Sequence, residues 1–472
     1  MKSLVVLAVD LGAESGRVMA VHFDGRTLHL DELHRFPNTA VTVGHTLYWD
    51  ILHLWREIQT GIEKGKVLQP ASIGVDTWGV DFALLDRQDR LLGNPVHYRD
   101  GRTTGMMERA FARVPKEEIF AQTGIQFMPI NTLYQLLSLV ESKSPQLQIA
   151  GTFLTISDLL NFWLTGVKVC EFSNATTTQI FNPGHGRWAT DLMSPLDIPF
   201  TIFPEIVPPG TRLGAYKGIS VIAPACHDTG SAVAAVPTQT PDFAYISSGT
   251  WSLVGLEVER PILTAEALAA NVTNEGGVYG TYRLLKNVMG LWILQQCRAQ
   301  WAGEGQSYSY AELVELAREV EVDTAVFNPN DPIFLAPGDH PQRIRALCQQ
   351  VGQPVPESPG EIVRSVLQSL AWAYREVLHE VTACTEPAEA AVAAHPVSTI
   401  HIVGGGSQNE LLIQLTADAT GLPVIAGPVE ATVIGNALVQ LISLGEIADL
   451  PQARQIVAEM AELKRYEPRA NS

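Results

Sequence analysis

The chain has 472 residues, enough for two or three domains with sizeable cores. Apolar residues make up 46% of the sequence and charged residues 17%, which excludes a disordered chain and a charged coiled coil. The 50 acidic and 32 basic residues give a formal charge of −18, so most of the surface repels nucleic acid and anionic lipid.

Neither the cysteines nor the apolar segments point to secretion or to a membrane. The five cysteines are widely spaced and form no CxxC motif, which favours buried thiols in a reducing compartment over disulfides or a zinc site. The apolar stretch 4–9 ends at Asp10 without a cleavage site of small residues. No apolar run approaches the roughly 20 residues of a membrane span. We therefore expect a cytoplasmic protein.

The first half of the chain predicts a mixed sheet covered by helices. A β-branched apolar run at 4–9 is typical of a buried strand, and a glycine-bearing turn at 12–16 leads into a second strand at 18–23. Strands that alternate with helices after this hairpin indicate an α/β architecture. The further predicted elements are strands at 28–36, 72–75, 81–85 and 219–223, helices at 49–64 and 231–236, and a mainly helical region at 103–200.

The opening pattern recurs after a linker at 237–241 that contains two prolines. Residues 243–246 predict a strand, 247–250 a turn of small residues and 251–258 another strand. We interpret this as an internal duplication that gives two related domains with a cleft between them; an ordinary second hairpin is the alternative. The domains would span 1–238 and 239–472. Later predicted elements are a strand at 399–403 and helices at 361–382, 409–420 and 431–444.

The turn after the first strand could hold a phosphate group. Gly12 and Gly16 allow backbone conformations that direct several N–H groups towards one position, and Arg17 could add positive charge. Asp10 would repel a phosphate unless Mg²⁺ lay between them. The segment is not a Walker A motif, and an ordinary hairpin turn is the alternative.

Two later loops of small residues could also bind a ligand. The hydroxyls and amides of Ser247–Thr250 could hold a second phosphate. The three glycines at 404–406 would let a flat or charged ligand lie against the backbone, and Asn409 could cap the helix that follows. A plain turn is the alternative for both loops.

Asp228 is the candidate catalytic base, because it precedes the presumed hinge and would face the cleft. A carboxylate there could orient a hydroxyl nucleophile or accept its proton; the alternative is a helix N-cap. His227, its neighbour, is more often a structural hydrogen-bonding residue than a catalyst.

Three more residues could contact a sugar. Trp78 and Gly79 lie between two predicted strands and could offer an apolar plane and a point of close approach, with core packing of Trp78 as the alternative. Asn287 is polar in an apolar stretch and could hydrogen-bond a ligand or cap a helix.

Taken in order along the chain, these segments resemble the carbohydrate kinases of the FGGY family, nearly from end to end. The resemblance implies two duplicated ribonuclease-H-like domains of the actin-like ATPase fold, the N-terminal one on the sugar side and the C-terminal one on the nucleotide side. The segments that carry it are DLGAESGR (10–17), GVDTWGVDF (74–82), YRDGRT (98–103), GIQFMPINTLYQL (124–136), NATTTQ (174–179), HDTGSAV (227–233), SSGTWSL (247–253), NEGG (274–277), LKNVMGLWILQ (285–295), VGGGSQN (403–409) and GPVEATVIGNA (427–437).

The resemblance implies that the chain uses ATP and Mg²⁺ to phosphorylate L-rhamnulose at its 1-hydroxyl. By position in the family's motifs, Asp228 would be the catalytic base and Asp10 would help to hold Mg²⁺. The implied contacts with ATP are Ala13, Glu14, Ser15, Gly16, Arg17, Thr250, Gln295 and Gly405. The implied contacts with the sugar are Gly79, His227, Asp228, Thr229 and Asn287.

Two alternative functions stay open at this point. The chain could phosphorylate another ketose, such as L-fuculose. It could instead be a non-catalytic, actin-like nucleotide switch, which would use the same phosphate turns without needing Asp228. The expected partners are the ketose and ATP, without nucleic acid or membrane, and the sequence leaves monomer and dimer equally open.

Overall fold

The computed structural model describes residues 3–321, 324–385 and 396–469. The chain forms two compact units, each assembled from three segments. Unit 1 consists of Met1–Gln239, Glu257–Leu284 and Ala431–Met460, and unit 2 of Thr240–Leu256, Leu285–Glu430 and Ala461–Ser472. The boundary between residues 238 and 239 stays a prediction.

The first half of the chain contains short and long strands interspersed with helices. The strands are β1 (Leu4–Leu11), β2 (Ser15–Phe23), β3 (Leu28–Pro37), β4 (Ala40–Val43), β5 (Thr46–Trp49), β6 (Ser72–Thr77), β7 (Phe82–Leu85), β8 (Thr152–Thr155), β9 (Cys170–Glu171), β10 (Phe181–Asn182), β11 (Arg187–Trp188), β12 (Ile206–Val207), β13 (Arg212–Tyr216) and β14 (Ile219–Ile222). The helices are α1 (Ile51–Gly65), α2 (Met106–Phe111), α3 (Lys116–Thr123), α4 (Thr132–Glu141), α5 (Pro145–Ile149), α6 (Ile156–Thr165), α7 (Phe172–Thr177), α8 (Thr190–Met193) and α9 (Asp228–Ala234).

The second half begins with strands and is then dominated by longer helices. The strands are β15 (Phe243–Ser248), β16 (Trp251–Val258), β17 (Thr273–Gly276), β18 (Tyr282–Met289), β19 (Thr399–Val403), β20 (Val424–Ala426) and β21 (Lys464–Tyr466). The helices are α10 (Ala265–Ala270), α11 (Trp292–Gly303), α12 (Tyr310–Arg318), α13 (His340–Gln350), α14 (Pro359–Thr385), α15 (Glu410–Thr420), α16 (Ala431–Leu444) and α17 (Leu450–Met460).

A six-stranded mixed sheet, in the order β13-β14-β6-β1-β2-β3, forms the centre of unit 1. β1 pairs antiparallel with β2 and parallel with β6, which in turn is parallel to β14. Because helices such as α16 and α1 cover the sheet, the inner strand β1 is buried almost throughout, as a continuous apolar run requires. Gln440 of α16 fixes this packing, accepting a hydrogen bond from Ser72 Oγ (2.7 Å) and donating one to Leu7 C=O (3.1 Å).

The sheet of unit 2 repeats this topology. The sheet has seven strands, in the order β17-β18-β16-β15-β19-β20-β21, and the last six of them correspond to the six strands of the first sheet. Here β15 pairs antiparallel with β16 and parallel with β19, and β19 is parallel to β20. Each unit therefore contains an antiparallel hairpin whose first strand also pairs with a parallel strand on its other side. This confirms the predicted duplicated α/β architecture with mixed sheets.

The predicted elements are mostly confirmed, with two differences. The region 103–200 contains the short strands β8, β9, β10 and β11 as well as helices; β10 pairs with β11, and β8 pairs with β7 from earlier in the chain. The helix predicted at 231–236 begins earlier, at Asp228. All five cysteines are buried free thiols, as expected. Among the described residues, no helix combines the length and apolar character needed to cross a bilayer.

Candidate active site

The turn between β1 and β2 is closed by a hydrogen bond from Gly12 N–H to Ser15 C=O (3.0 Å). Asn38 holds this turn in place: its side chain donates to Gly12 C=O (2.8 Å) and its backbone N–H donates to Glu14 C=O (2.9 Å). The Glu14 side chain is exposed, and Ala13 is half-buried. Sequence reasoning missed Asn38, because a single Asn after a strand belongs to no recognisable motif.

Asp10 and Arg17 lie directly opposite each other on β1 and β2. Arg17 Nη2 and Nε approach Asp10 Oδ2 at 2.8 and 3.1 Å, and both side chains are largely buried. The residue predicted to contact ATP and the residue predicted to hold Mg²⁺ are therefore an ion pair with each other. This pairing places a guanidinium and a carboxylate at the same end of the hairpin.

A second carboxylate, Asp76, lies beside Asp10 on the neighbouring parallel strand. It is fully buried; its Oδ2 accepts a hydrogen bond from Asn436 of α16, while its Oδ1 has no hydrogen-bond partner. Burial, followed by the negative charges of Asp10 and Asp228, raises the pKa of Asp76 well above its usual range. Sequence reasoning missed Asp76 as a site residue, although its place at the end of a buried strand was a usable signal.

These acidic residues fit a magnesium ion. Carboxylate oxygens are the ligands that Mg²⁺ prefers, and the unpaired buried oxygen of Asp76 lacks a cation or a donor. Within the described residues, no three His, Cys, Asp or Glu side chains are grouped so as to ligate one ion. Mg²⁺ would thus keep water or phosphate ligands and use one or two carboxylates, its common mode of binding.

Asp228 is the first residue of α9, and the N-cap position belongs to His227. The N-cap alternative for Asp228 is therefore wrong. Its Oδ1 accepts a hydrogen bond from Thr229 N–H (2.6 Å), and its side chain keeps 23% exposure. Burial raises the pKa of Asp228 to about 6, with His227 opposing and Asp10 adding to the shift. Asp228 is thus a partly accessible carboxylate that is more basic than an ordinary aspartate.

The two residues before Asp228 are anchored by α7 and its N-terminus. Glu171 Oε2 accepts a hydrogen bond from Cys226 N–H (2.9 Å), and Ser173 Oγ accepts one from His227 N–H (3.0 Å). On the other side, Thr77 N–H donates to Cys226 C=O (2.9 Å). The backbone just before Asp228 is therefore held by the side chains of Glu171 and Ser173, which no motif in the sequence identified.

A buried arginine fixes the side chains of His227 and Thr229. Arg283, in the part of β18 that belongs to unit 1, is fully buried and donates to Thr229 Oγ1 (2.8 Å). Its Nη2 lies 3.1 Å from both His227 Nδ1 and Glu275 Oε2. His227 thus has the structural hydrogen bond that its residue type suggested, and its contact with a sugar stays a prediction.

Trp78 and Gly79 follow β6 and begin a tight turn. Trp78 is buried and packs against Trp49, with ring centroids 4.1 Å apart and the ring planes tilted by 36°, so the core-packing interpretation of Trp78 is right. Gly79 is half-buried, which leaves its backbone as the part of this pair that a ligand could reach.

In unit 2, the two predicted loops of small residues pack against each other. A Cβ added to Gly406 would lie 2.0 Å from Ser248 Oγ, so only glycine allows this approach. On another side, Gly290 N–H donates to Thr250 C=O (3.1 Å) and Leu291 N–H donates to Gly249 C=O (2.9 Å). The hairpin turn at 248–250 is therefore held in place by hydrogen bonds from residues 290 and 291 and by packing against Gly406.

The remaining predicted residues of unit 2 come after this turn in the chain. Gln295 lies on the first turns of α11, and its Oε1 is buried without a hydrogen-bond partner; its contact with ATP stays a prediction. Gly405 is exposed, and a Cβ there would touch nothing. Asn287 lies inside β18, so its helix-cap alternative is wrong. Asn409 caps α15 by accepting from Leu412 N–H (3.0 Å), as predicted.

The predicted residues divide between the two units. Unit 1 contains Asp10, Ala13, Glu14, Ser15, Gly16, Arg17, Gly79, His227, Asp228 and Thr229. Unit 2 contains Thr250, Asn287, Gln295 and Gly405.

Curated relatives match nearly the whole chain. A rhamnulokinase of Bacteroides thetaiotaomicron is 44% identical over 98% of this chain and 95% of its own. A rhamnulokinase of Pectobacterium carotovorum is 44% identical over 99% and 94% of the two chains. One from Oceanobacillus iheyensis is 42% identical over 98% and 97%.

Solved structures of low identity share the fold. The xylulose kinase of Lactobacillus acidophilus superposes with a TM-score of 0.77 at 16% identity, covering 98% of this chain and 94% of that one. Plasmodium falciparum glycerol kinase with ADP gives a TM-score of 0.75 at 15% identity, covering 99% and 94%. Residues 5–221 and 244–444 match the models of the N-terminal and C-terminal domains of the FGGY family of carbohydrate kinases. The chain therefore belongs to the FGGY family of carbohydrate kinases.

Proposed function

We propose that this chain is an ATP-dependent kinase that phosphorylates the 1-hydroxyl of L-rhamnulose, giving L-rhamnulose 1-phosphate and ADP. The relatives named rhamnulokinase support this choice of sugar, since they share 42% to 44% of their residues with nearly the full chain. The observation that carries the proposal is the Asp228 carboxylate, which is partly accessible and has a pKa raised to about 6. A cytoplasmic location fits these substrates.

Asp228 would act as the general base. At neutral pH a carboxyl group with a pKa near 6 is mainly ionised, yet it accepts a proton more readily than an ordinary aspartate. The sugar oxygen would attack the γ-phosphorus of ATP in line with the leaving oxygen, and its proton would pass to Asp228 as the bond to the ADP oxygen breaks. Thr229 N–H, bonded to Asp228 Oδ1, would keep the carboxylate oriented during this transfer.

The acidic group of unit 1 would hold Mg²⁺. When bound, Mg²⁺ neutralises charge on the phosphate oxygens. We assign this role to Asp10 and Asp76, because both lie at the end of neighbouring parallel strands and Asp76 has an unpaired buried oxygen. The ion pair with Arg17 would place a guanidinium near the phosphates.

The remaining contacts follow the two turns and the family's motifs. Backbone amides of 13–17 would bind phosphate oxygens, since that turn is already closed by Gly12 and Asn38. We propose that Thr250, Gln295 and Gly405 also contact ATP and that Gly79, His227, Thr229 and Asn287 contact the sugar. In this account residues 1–238 would supply most of the sugar contacts, and residues 239–472 would supply the nucleotide contacts other than those of 13–17.

An ADP-release assay over a panel of ketoses, with the position of phosphorylation read by NMR, tests the proposal. We expect the highest kcat/KM with L-rhamnulose and phosphate on the 1-hydroxyl. A higher value with L-fuculose would identify the alternative sugar. Slow ADP release that does not depend on sugar would contradict the kinase function and favour a nucleotide switch.

A further inference from the structure

The residues after Trp78 form a strained turn. Asp81 N–H donates to Gly79 C=O (2.9 Å), which closes a γ-turn of three residues around Val80. The φ of Val80 is +64°, in the left-handed region that β-branched residues rarely adopt. Such a conformation persists only where the surroundings impose it, and it is concentrated at ligand-binding sites.

Two helices impose this conformation through side chains. Thr177 of α7 accepts a hydrogen bond from Val80 N–H at its Oγ1 (3.1 Å). Thr132 and Gln135 of α4 both donate to Val80 C=O, at 2.6 and 3.2 Å. Both polar backbone groups of Val80 are therefore fixed by side chains rather than by a neighbouring strand.

The end of the turn is fixed by a buried carboxylate. Asp81 Oδ2 accepts hydrogen bonds from the indole N–H groups of Trp49 (2.6 Å) and Trp78 (3.0 Å). Its Oδ1 accepts from Gln135 Nε2 (3.0 Å), so one side chain holds both Asp81 and the carbonyl of Val80. The two packed indoles, the Asp81 carboxylate and the turn thus form one rigid unit.

The turn has no free space behind it and lies next to the segment of Asp228. A Cβ at Gly79 would lie 3.0 Å from both Thr177 Oγ1 and Thr177 Cγ2. Thr77, two residues before Gly79, pairs in parallel with His227, the residue before Asp228. The half-buried residues Gly79 and Val80 are therefore a rigid surface that begins two residues after the bridge partner of His227.

We propose that the Gly79–Asp81 turn is the wall of the sugar pocket that sets specificity, and that Thr132, Gln135 and Thr177 are the positioning residues that hold it in its strained conformation. This inference rests on the proposed kinase function. A wall whose backbone cannot rotate presents its donors and acceptors at fixed positions, so a sugar with one inverted hydroxyl leaves a polar group unpaired. A turn that could change its backbone conformation would accept the sugar with either orientation of that hydroxyl.

The first experiment tests the strain and does not depend on the substrate. Val80→Gly and Val80→Ala both remove the isopropyl group, but only the alanine retains a Cβ in the left-handed region. At an ordinary φ, glycine is the less stable of the two. We expect the opposite order here, with the thermal midpoint of V80G above that of V80A by about 1–3 °C. A midpoint of V80A equal to or above that of V80G would overturn the claim that Val80 is strained.

The second experiment tests specificity with a matched pair of variants. Thr177→Val removes the acceptor of Val80 N–H, whereas Thr178→Val removes a buried hydroxyl that bonds to near neighbours in the chain, donating to Ala175 C=O and accepting from Ile180 N–H. We expect T177V to raise KM for L-rhamnulose about tenfold and to leave KM for ATP unchanged. The ratio of kcat/KM for L-rhamnulose to kcat/KM for L-fuculose should fall. T178V should keep wild-type values.

Thr132→Val provides a second route to the same wall if T177V does not fold, because Gln135 still bonds Val80 C=O in that variant. Folded T177V or T132V with wild-type KM and sugar selectivity would overturn the proposal. Failure of the proposed function would look different: the wild type itself would phosphorylate no ketose. The specificity role would then fall with it, while the V80G and V80A midpoints would still decide whether the turn is strained.

Discussion

Glu171 Oε2 accepts a hydrogen bond from the backbone N–H of Cys226 (2.9 Å), two residues before the proposed base Asp228. The same carboxylate also accepts from Ser173 N–H (2.9 Å), Ser173 Oγ (2.5 Å) and Asn174 N–H (3.3 Å). Three of these partners are backbone N–H groups, which can only donate, so the position favours a carboxyl group over an amide. Glu171 is fully buried, and it links the start of α7 to the segment that carries Asp228.

Glu171→Gln should therefore disturb both folding and catalysis. The amide of glutamine must direct an NH₂ group at one of the donors, which leaves that donor unpaired in a buried place. We expect the free energy of unfolding to fall by about 1–3 kcal/mol and kcat to fall with it, because the segment before Asp228 loses an anchor. Urea unfolding and the ADP-release assay measure the two effects.

Glu63→Gln is the control for that variant. Glu63 is exposed and pairs with Lys217 at the surface. Because surface ion pairs contribute little, the change should alter the free energy of unfolding by less than about 0.5 kcal/mol. Equal effects of E171Q and E63Q would show that Glu171 has no anchoring role.

Asp158 should make the stability of the protein depend on pH. Burial raises the pKa of Asp158 to about 7, while Thr155 Oγ1 and Glu171 N–H donate to its two oxygens. The folded state therefore binds this proton more tightly than the unfolded state does. Its stabilising contribution is complete below the unfolded pKa near 4 and is lost as the pH rises through about 7.

Comparison with Asp158→Asn isolates this effect. The free energy of unfolding of the wild type, relative to that of D158N, should fall by about 2 kcal/mol between pH 5 and pH 8. Urea titrations of both proteins at several pH values give this difference. If the two curves run parallel, Asp158 has an ordinary pKa in the folded protein.

The rate of sugar phosphorylation should also depend on pH. Asp228 accepts a proton only when ionised, and burial raises its pKa to about 6. With saturating ATP, kcat/KM for the sugar should be flat above that pH and fall about tenfold per unit below it. A profile that stays flat down to pH 5 would mean that Asp228 keeps an ordinary pKa or is not the base.

Gly405 and Gly406 should respond differently to alanine. A Cβ at Gly406 would lie 2.0 Å from Ser248 Oγ, whereas one at Gly405 would touch no protein atom. We expect both substitutions to raise KM for ATP, but only Gly406→Ala to lower the thermal midpoint. Gly303→Ala, on α11 with open space around it, should leave KM for ATP unchanged and should not lower the thermal midpoint. A wild-type KM for ATP in Gly405→Ala would remove Gly405 from the nucleotide site.

The sequence predicts the architecture well because the relevant signals are local. The strand 399–403 and the hairpins around Gly12 and Gly249 follow from apolar runs interrupted by small residues. The cap at Asn409 follows from its position before a helix. Such features depend on near neighbours in the chain, which a single sequence displays.

The supporting residues could not be predicted in the same way. Asn38, Glu171 and Thr177 act on turns that lie far from them in the chain. Asp76 gains its importance from an unpaired oxygen and from the neighbouring charge of Asp10, which are properties of packing. The left-handed φ of Val80 runs against the preference of its residue type, so local propensity predicts the opposite.

Phosphoryl transfer by Asp228→Asn, measured beside the binding of L-rhamnulose and ATP, tests the proposed mechanism most directly. The amide oxygen can still accept from Thr229 N–H, so the local structure should survive. We expect ADP release to fall about 10³-fold while both dissociation constants stay within a few-fold of the wild type. Turnover close to that of the wild type would contradict the assignment of Asp228 as the base.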